Sequence, residues 1–179
     1  SGLLGWGPEN LFPRSQEADN ASWTKLAVTV SADAIVAPDG TTTADKIAED
    51  NTNAQHRIRQ SKSSSYISTV SFYMKAAERS WAFLYADGAS QGRYFDLANG
   101  VLGSTITGAP IDSSITSVGN GWYRCSITVA AGGTTFGMGV TTGDGVLTYT
   151  GTTGSGVYVW GAQLERAASA SAYKPTTSA

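Results

Sequence analysis

The residues able to do chemistry are few and poorly matched to one another. His56 is the single histidine and Cys125 the single cysteine in 179 residues, so a Ser-His-Asp or Cys-His device would have to be built on His56. No Gly-x-Ser-x-Gly elbow accompanies it. Gly154-Ser155-Gly156 is too short to match and falls in a turn. Zinc sites need clustered cysteine and histidine, which one of each does not supply. Glycoside hydrolysis needs two carboxylates facing each other across a cleft. The acids here, among them Asp33, Asp39, Asp45, Glu49, Asp50, Glu78, Asp96 and Glu165, are scattered and mostly sit beside Gly, Asn or Ser in turns. They read as turn-forming and solubilising groups. Calcium stays open, because turn carboxylates are what that ion uses; Asp87, Asp112 and Asp144 are candidate ligands, although no spacing resembles a calcium loop. No other cofactor is expected, and the inventory argues against an enzyme.

What the chain does have is flat rings. Five Trp and eight Tyr are interleaved with small polar residues. A sugar presents a face of polarised C–H groups and a rim of hydroxyls, so proteins meet it with Trp or Tyr faces and hydrogen-bonding side chains. Trp23, Trp160, Tyr123 and Tyr158 share parity with apolar neighbours and are expected in the core. Tyr73, Trp81, Tyr85, Trp122 and Arg124 fall on polar parity, where packing and ligand-facing roles both stay open. His56-Arg57-Ile58-Arg59, followed by Lys62, is the only basic cluster. It reads either as a solvated strand face or, with Gln55, as a ligand edge made of Gln55, Arg57 and Arg59.

These residues must be positioned by strands. Hydrophobic residues are 41% of the chain and charged residues only 15%, with 21 glycines, a composition that suits short strands joined by tight turns around one core. Trp23 opens an alternating run through Leu26, Val28 and Val30, ended by Pro38-Asp39-Gly40. Strands are expected at about 43–49, 55–60, 66–75, 81–86, 93–96, 101–107, 122–129, 136–140, 146–150 and 157–165. In the 66–75 block Val70, Phe72 and Met74 share one face while Thr69, Ser71, Tyr73 and Lys75 share the other. Asn99-Gly100 is a strong hairpin signal. The spacing predicts an all-β fold, a two-sheet antiparallel β-sandwich of jelly-roll type. Residues 1–22 are irregular, with an extended piece at Asn10-Leu11-Phe12. The organisation is a linker or lead-in over 1–9, a binding module over 10–175 and a tail over 176–179.

A net charge of −2 gives no basic footprint for nucleic acid. No stretch approaches the ~18 apolar residues that span a bilayer, so membrane insertion is not expected. A single cysteine permits no intrachain disulfide, and stability must come from packing.

Asn10-Leu11-Phe12, Ala21-Ser22-Trp23-Thr24-Lys25, Pro38-Asp39-Gly40-Thr41 with Thr43-Ala44-Asp45-Lys46-Ile47, Ser71-Phe72-Tyr73-Met74-Lys75-Ala76, Asp96-Leu97-Ala98-Asn99-Gly100, Gly119-Asn120-Gly121-Trp122-Tyr123-Arg124-Cys125 and Tyr158-Val159-Trp160-Gly161-Ala162-Gln163-Leu164-Glu165 resemble a module repeated in phage tail, head-spike and fibre proteins. That module is similar in turn to the jelly-roll carbohydrate-binding modules of xylanases. The resemblance spans about residues 10–175. It implies two face-to-face sheets, a concave face serving as a glycan groove, and display on a virion surface or outside the cell, fused to or assembled with other domains, with a trimer as one arrangement. Xylanase-type modules carry aspartates in the last strand that help hold calcium, where this chain reads Val159-Trp160-Gly161-Ala162. The expected function is glycan or polysaccharide binding through a concave sheet bearing Tyr73, Trp81, Tyr85, Trp122 and Arg124. The alternative is a fibre or spike assembly module without a sugar ligand.

Overall fold

The computed structural model describes residues 9–177. Most of the lead-in over 1–9 and the end of the tail, 178–179, lie outside the described residues. Fourteen strands follow in order: β1 (Thr24–Leu26), β2 (Val28–Ile35), β3 (Ala44–Glu49), β4 (Asn53–Ala54), β5 (His56–Ser64), β6 (Ser68–Ala76), β7 (Trp81–Asp87), β8 (Gln91–Asp96), β9 (Val101–Thr107), β10 (Asp112–Gly119), β11 (Trp122–Val129), β12 (Gly133–Thr141), β13 (Tyr149–Thr150) and β14 (Gly156–Glu165).

Sheet I runs β1-β5-β12-β7-β8-β9, sheet II runs β10-β11-β6-β14-β3-β2, and β13 pairs with β4 in a two-stranded ribbon. The chain crosses between these two sheets at β1 to β2, β3 to β5, β5 to β6, β6 to β7, β9 to β10, β11 to β12 and β12 to β14. That leaves β5-β12-β7-β8 facing β3-β14-β6-β11, which is the strand order of a jelly roll. The expected two-sheet antiparallel sandwich is the fold observed.

Parity explains the layers. Val70, Phe72 and Met74 of β6, Cys125, Ile127 and Val129 of β11, Ala82, Leu84 and Ala86 of β7, and Phe136, Met138 and Val140 of β12 all point inward and form one buried cluster. The alternate residues of the same strands face outward from one sheet or the other. Two local features break the simple alternation. At Ala27 the chain takes φ 53°, so the apparent single strand of Leu26, Val28 and Val30 is two: β1 pairs with β5 in sheet I and β2 with β3 in sheet II. In β14, Gly161 (φ 61°) sits in a bulge between Trp160 and Gln163. Val157 and Val159 before it, and Ala162 and Leu164 after it, therefore all reach the main core.

The bulge also corrects the expected placement of Trp160 and Tyr158. They leave the main core and pack on the outside of sheet II, whereas Trp23 is in the main core and Tyr123 packs against it. The irregular segment at 10–23 is docked rather than paired. Leu11 N–H donates to the Leu164 carbonyl at 2.8 Å, and Asn10 Nδ2 donates to the carbonyls of Ala162 and Lys174 at 2.9 Å each. Phe12 packs on Trp23 at 5.0 Å between ring centroids. At the other end Thr176 N–H donates to Ser15 Oγ at 2.9 Å.

Candidate functional site

The residues expected to share one concave sheet are divided between the two outer faces. Tyr73 of β6 and Trp122 and Arg124 of β11 stand on sheet II. Trp81 and Tyr85 of β7, with Arg57 and Arg59 of β5, stand on sheet I. Trp122 is not a surface ring: it is 2% exposed and belongs to a small outer cluster with Ala37, Ala44 and Trp160. Its indole N–H donates to the Val36 carbonyl at 3.3 Å.

Sheet II is covered because two segments fold over it. The 35–43 turn meets Trp122, and it supplies Thr43 Oγ1 to the Trp160 indole N–H at 3.0 Å. The C-terminal segment brings Tyr173 against Trp160 (4.8 Å) and Tyr73 (6.0 Å). The Tyr173 hydroxyl shares a 2.7 Å hydrogen bond with Ser15 Oγ, and burial pushes its phenol pKa up. Further along, Thr69 Oγ1 donates to the Ala167 carbonyl at 2.8 Å and Ser171 Oγ to Glu165 at 2.7 Å. Arg124 lies over the Tyr73 ring at 5.4 Å and donates to Ser71 Oγ at 3.2 Å. Tyr73 and Arg124 are partly buried, and Arg124 Nε is buried without a hydrogen bond, as are Arg93 Nε and Arg57 Nε.

Sheet I is built differently. The sequence of β7, Trp81-Ala82-Phe83-Leu84-Tyr85-Ala86-Asp87, is apolar on both parities, and the register resolves it. Ala82, Leu84 and Ala86 go inward; Trp81, Phe83, Tyr85 and Asp87 go outward. The outward rings are accommodated by glycines on neighbouring strands. A β-carbon on Gly139 of β12 would lie 2.2 Å from the Phe83 ring, one on Gly92 of β8 2.6 Å from Tyr85, and one on Gly103 of β9 2.7 Å from Trp81. Each ring thus lies against bare backbone where any other residue would push it off. Phe83, Tyr94 and Ile106 are buried in this layer, and Trp81 and Tyr85 pack against them and are partly buried.

The strand β12 also separates the arginines from the rings, and there its glycines again matter. Gly137 lies opposite Arg59 on one side and Tyr85 on the other; Gly139 lies opposite Arg57 and Phe83. With no side chains in between, the arginines lean across. Arg57 reaches to 5.9 Å from the Tyr85 ring centroid. Asp87 receives both cations, Arg59 Nη1 at 3.3 Å and Arg57 Nη1 at 3.7 Å. Arg57 Nε is buried and makes no hydrogen bond. Gln55, half-buried, precedes Arg57 by two residues on the same parity. The result is a shallow shelf about 13 Å long from Trp81 to Tyr85, at ~3.3 Å per residue, with two guanidiniums and Asp87 at its Tyr85 end and Asp96 and Asp144 at its Trp81 end.

Sequence reasoning missed Phe83 as the support beneath the shelf and Asp87 as the partner of the arginines. The signal was present in Gly137-Met138-Gly139, whose alternate glycines leave a bare strip on one face of a strand.

The proposed calcium carboxylates do not converge. Asp87 faces Arg57 and Arg59, Asp144 accepts from Ser104 N–H (2.7 Å) and Oγ (2.9 Å), and exposed Asp112 begins β10 and accepts from Ser113 N–H. Among the described residues no three of His, Cys, Asp and Glu gather as a metal site would require.

A second titratable cluster lies at one end of the sandwich. Glu49 accepts from Arg79 Nε at 3.1 Å, from Thr152 N–H at 2.7 Å and from the Tyr149 hydroxyl. Burial alone would raise the Glu49 pKa, yet the Arg79 guanidinium and the two other donors hold it below the usual carboxylate value. Burial and the neighbouring carboxylate push the Tyr149 phenol up. His56 is enclosed, with Nδ1 2.7 Å from the Ala27 carbonyl and Nε2 3.2 Å from the Tyr149 carbonyl. These groups are bound to one another and tie the 149–152 segment to β3 and β5. Cys125 is fully enclosed between the sheets, and burial pushes its thiol pKa up.

No family model and no curated protein matches this chain. Among solved structures, the K3 cleaved adhesin domain of Lys-gingipain (Kgp) from Porphyromonas gingivalis w83 is similar over 87% of this chain and 98% of that one, at 12% identity and a TM-score of 0.47. At that distance the likeness lends nothing to a reading of function.

Proposed function

We propose that the chain is a non-catalytic carbohydrate-binding module that recognises a polysaccharide or cell-surface glycan on the outer face of sheet I. The supporting observation is the pair of partly exposed rings, Trp81 and Tyr85, seated on glycines, with Arg57, Arg59 and Asp87 at the Tyr85 end. Rings held against the sheet need no reordering when a sugar stacks on them, and the charged groups at their edge can hydrogen-bond its hydroxyls. A shallow surface with few anchors gives affinity on the order of millimolar to micromolar. The working place under this reading is a virion surface or another extracellular setting. Calorimetric titration with a panel of soluble polysaccharides tests it: binding that Trp81→Ala abolishes in a folded protein supports it, and silence across the panel refutes it.

One observation favours an assembly module instead. The edge strands β9 and β10 expose Val101, Leu102 and Val118, with Ile111 between them, and carry a single charge, Asp112. Uncharged edges are templates for pairing with another chain. A concentration-independent oligomer in light scattering, with no glycan response, would decide for assembly.

A further inference from the structure

We infer that the sugar taken by sheet I is acidic, its carboxylate or sulfate seated between Arg57 and Arg59 in competition with Asp87. This rests on the proposal that the shelf binds glycans. Three features carry it. First, at the Tyr85 end of the shelf two guanidiniums share one carboxylate, at 3.7 and 3.3 Å, and only the Arg59 contact is a hydrogen bond. Second, the other carboxylates of this face lie at its Trp81 end, away from the arginines, and are held by neutral donors. Asp96 accepts from the backbone N–H groups of Ala98 (2.9 Å) and Asn99 (3.2 Å) and from Asn99 Nδ2, and Asp144 accepts from Ser104. Third, Arg57 is poised but under-used. Its side chain is 14% exposed, its Nε has no acceptor, and its guanidinium is held near the Tyr85 ring, where a stacked sugar would bring an anion alongside.

A buried donor without an acceptor is a standing cost, and guanidinium with a carboxylate or sulfate makes the strong, bidentate kind of hydrogen bond that removes it. Asp87 occupies the position that such an anion would share. It therefore acts as an internal competitor that holds the two arginines in place when the shelf is empty and gives way, in part, when an acidic sugar arrives. The protein's net charge of −2 works against any general attraction for polyanions, so preference for an acidic sugar would have to arise locally.

The test uses two pairs of polymers that share a backbone and differ in charge: polygalacturonate against its methyl ester, and dextran sulfate against dextran. Affinities are measured at about 0.15 M salt, where charges more than ~8 Å apart are largely screened. The expected result is at least tenfold tighter binding to the charged member of one or both pairs, lost in Arg57→Gln and Arg59→Gln but kept in Lys46→Gln, which removes one cation from the opposite sheet. The pair that discriminates tells carboxylate from sulfate. Asp87→Asn is expected to tighten binding of the charged member several-fold, a direction that a purely structural role for Asp87 would not produce. Equal binding of charged and neutral members, dependent on Trp81, overturns this inference and leaves the glycan reading standing. Charge preference that Lys46→Gln weakens as much as Arg59→Gln also overturns it. No binding to any of the four polymers overturns both.

Discussion

On sheet II, Tyr73, Trp122, Arg124 and Trp160 form an aromatic and cationic face that the 35–43 turn and the C-terminal segment cover, whereas on sheet I the similar set of Trp81, Tyr85, Arg57 and Arg59 stays half open. The residue types hardly differ. What differs is the chain outside the strands: sheet II lies beneath Val36, Ala37 and Tyr173, while sheet I is approached by Asp144 and Leu147. An outward ring is thus core or surface according to what a distant segment does, and strand parity alone does not say which. Sheet I also replaces cross-strand partners with glycines, so its rings rest on the sheet itself. On sheet II Tyr73 likewise lies on a glycine, Gly161, and there the rings also rest on one another beneath the covering segments, as in the Tyr73–Trp160 contact at 5.3 Å.

The largest effect that would separate the two faces is on stability. Trp160→Ala or Trp122→Ala should each cost about 3–5 kcal/mol, the range for deleting a buried aromatic, read as a fall in the denaturation midpoint. If Trp122→Ala instead left the midpoint almost unchanged and removed glycan binding, the assignment of the faces would be reversed.

The next effect is a pH dependence that belongs to the covered side. Asp45, in β3, accepts from Ala18 N–H at 2.7 Å and Asp33 N–H at 3.0 Å. Burial lifts its pKa from 3.8 to about 6, against the lowering effect of those two N–H groups. A carboxyl whose folded pKa is raised contributes stability that is fully present below about 3.8 and lost as the pH rises through about 6. The difference across that window is on the order of 3 kcal/mol. Glu49 has the opposite sign, since its folded pKa is depressed. Its contribution is present above the unfolded value of 4.5 and is lost as the pH falls. Urea titrations from pH 4 to 7 should therefore show a decline that Asp45→Asn flattens, and Glu49→Gln should remove part of the loss seen below pH 4.5. A wild-type profile flat from pH 4 to 7 would mean that Asp45 is better solvated than its 2% exposure implies.

Sequence made the sandwich legible because alternation decides which side of a strand is apolar. Val70, Phe72 and Met74, or Cys125, Ile127 and Val129, can face only one way. It failed where a single backbone torsion reset the count, at Ala27 and Gly161, because one residue in the left-handed region leaves no mark on hydropathy. The β10 edge was missed for another reason: Asp112–Gly119 is mostly exposed, so it has no buried face to generate a pattern. Of the candidate site, Trp81, Tyr85, Arg57 and Arg59 were found from ring content and charge alternation. Their separation from Tyr73, Trp122 and Arg124 was not legible, since it depends on which sheet each strand joins, and that is decided by crossovers between residues far apart in sequence.

On the open side a smaller effect is expected. Tyr85→Ala should weaken glycan affinity at least tenfold, about 1.4 kcal/mol, while the fold persists with a modest loss from exposing Gly92 and Phe83. Calorimetry and a thermal melt on the same sample separate the two consequences. A melt lowered as far as that of Trp160→Ala would mean that Tyr85 is structural in the way the sheet II rings are.

The smallest effect is the most discriminating, because Arg124 is a residue of sheet II whose chemistry matches a sugar edge and whose side chain is not fully buried. It spans Tyr73 and Ser71, so Arg124→Ala removes one cation–π contact and one hydrogen bond, together about 1 kcal/mol of stability at a half-exposed position. Glycan affinity should stay the same, since the proposed binding shelf is on the other sheet. Trp122 beneath the turn gives a ligand nothing to stack on, and Tyr173 already occupies one side of Tyr73. If Arg124→Ala nevertheless weakened binding as strongly as Tyr85→Ala, the C-terminal segment would have to lift off sheet II in the bound state. Removing its anchor with Tyr173→Ala would then strengthen binding, the reverse of what a fixed cover predicts.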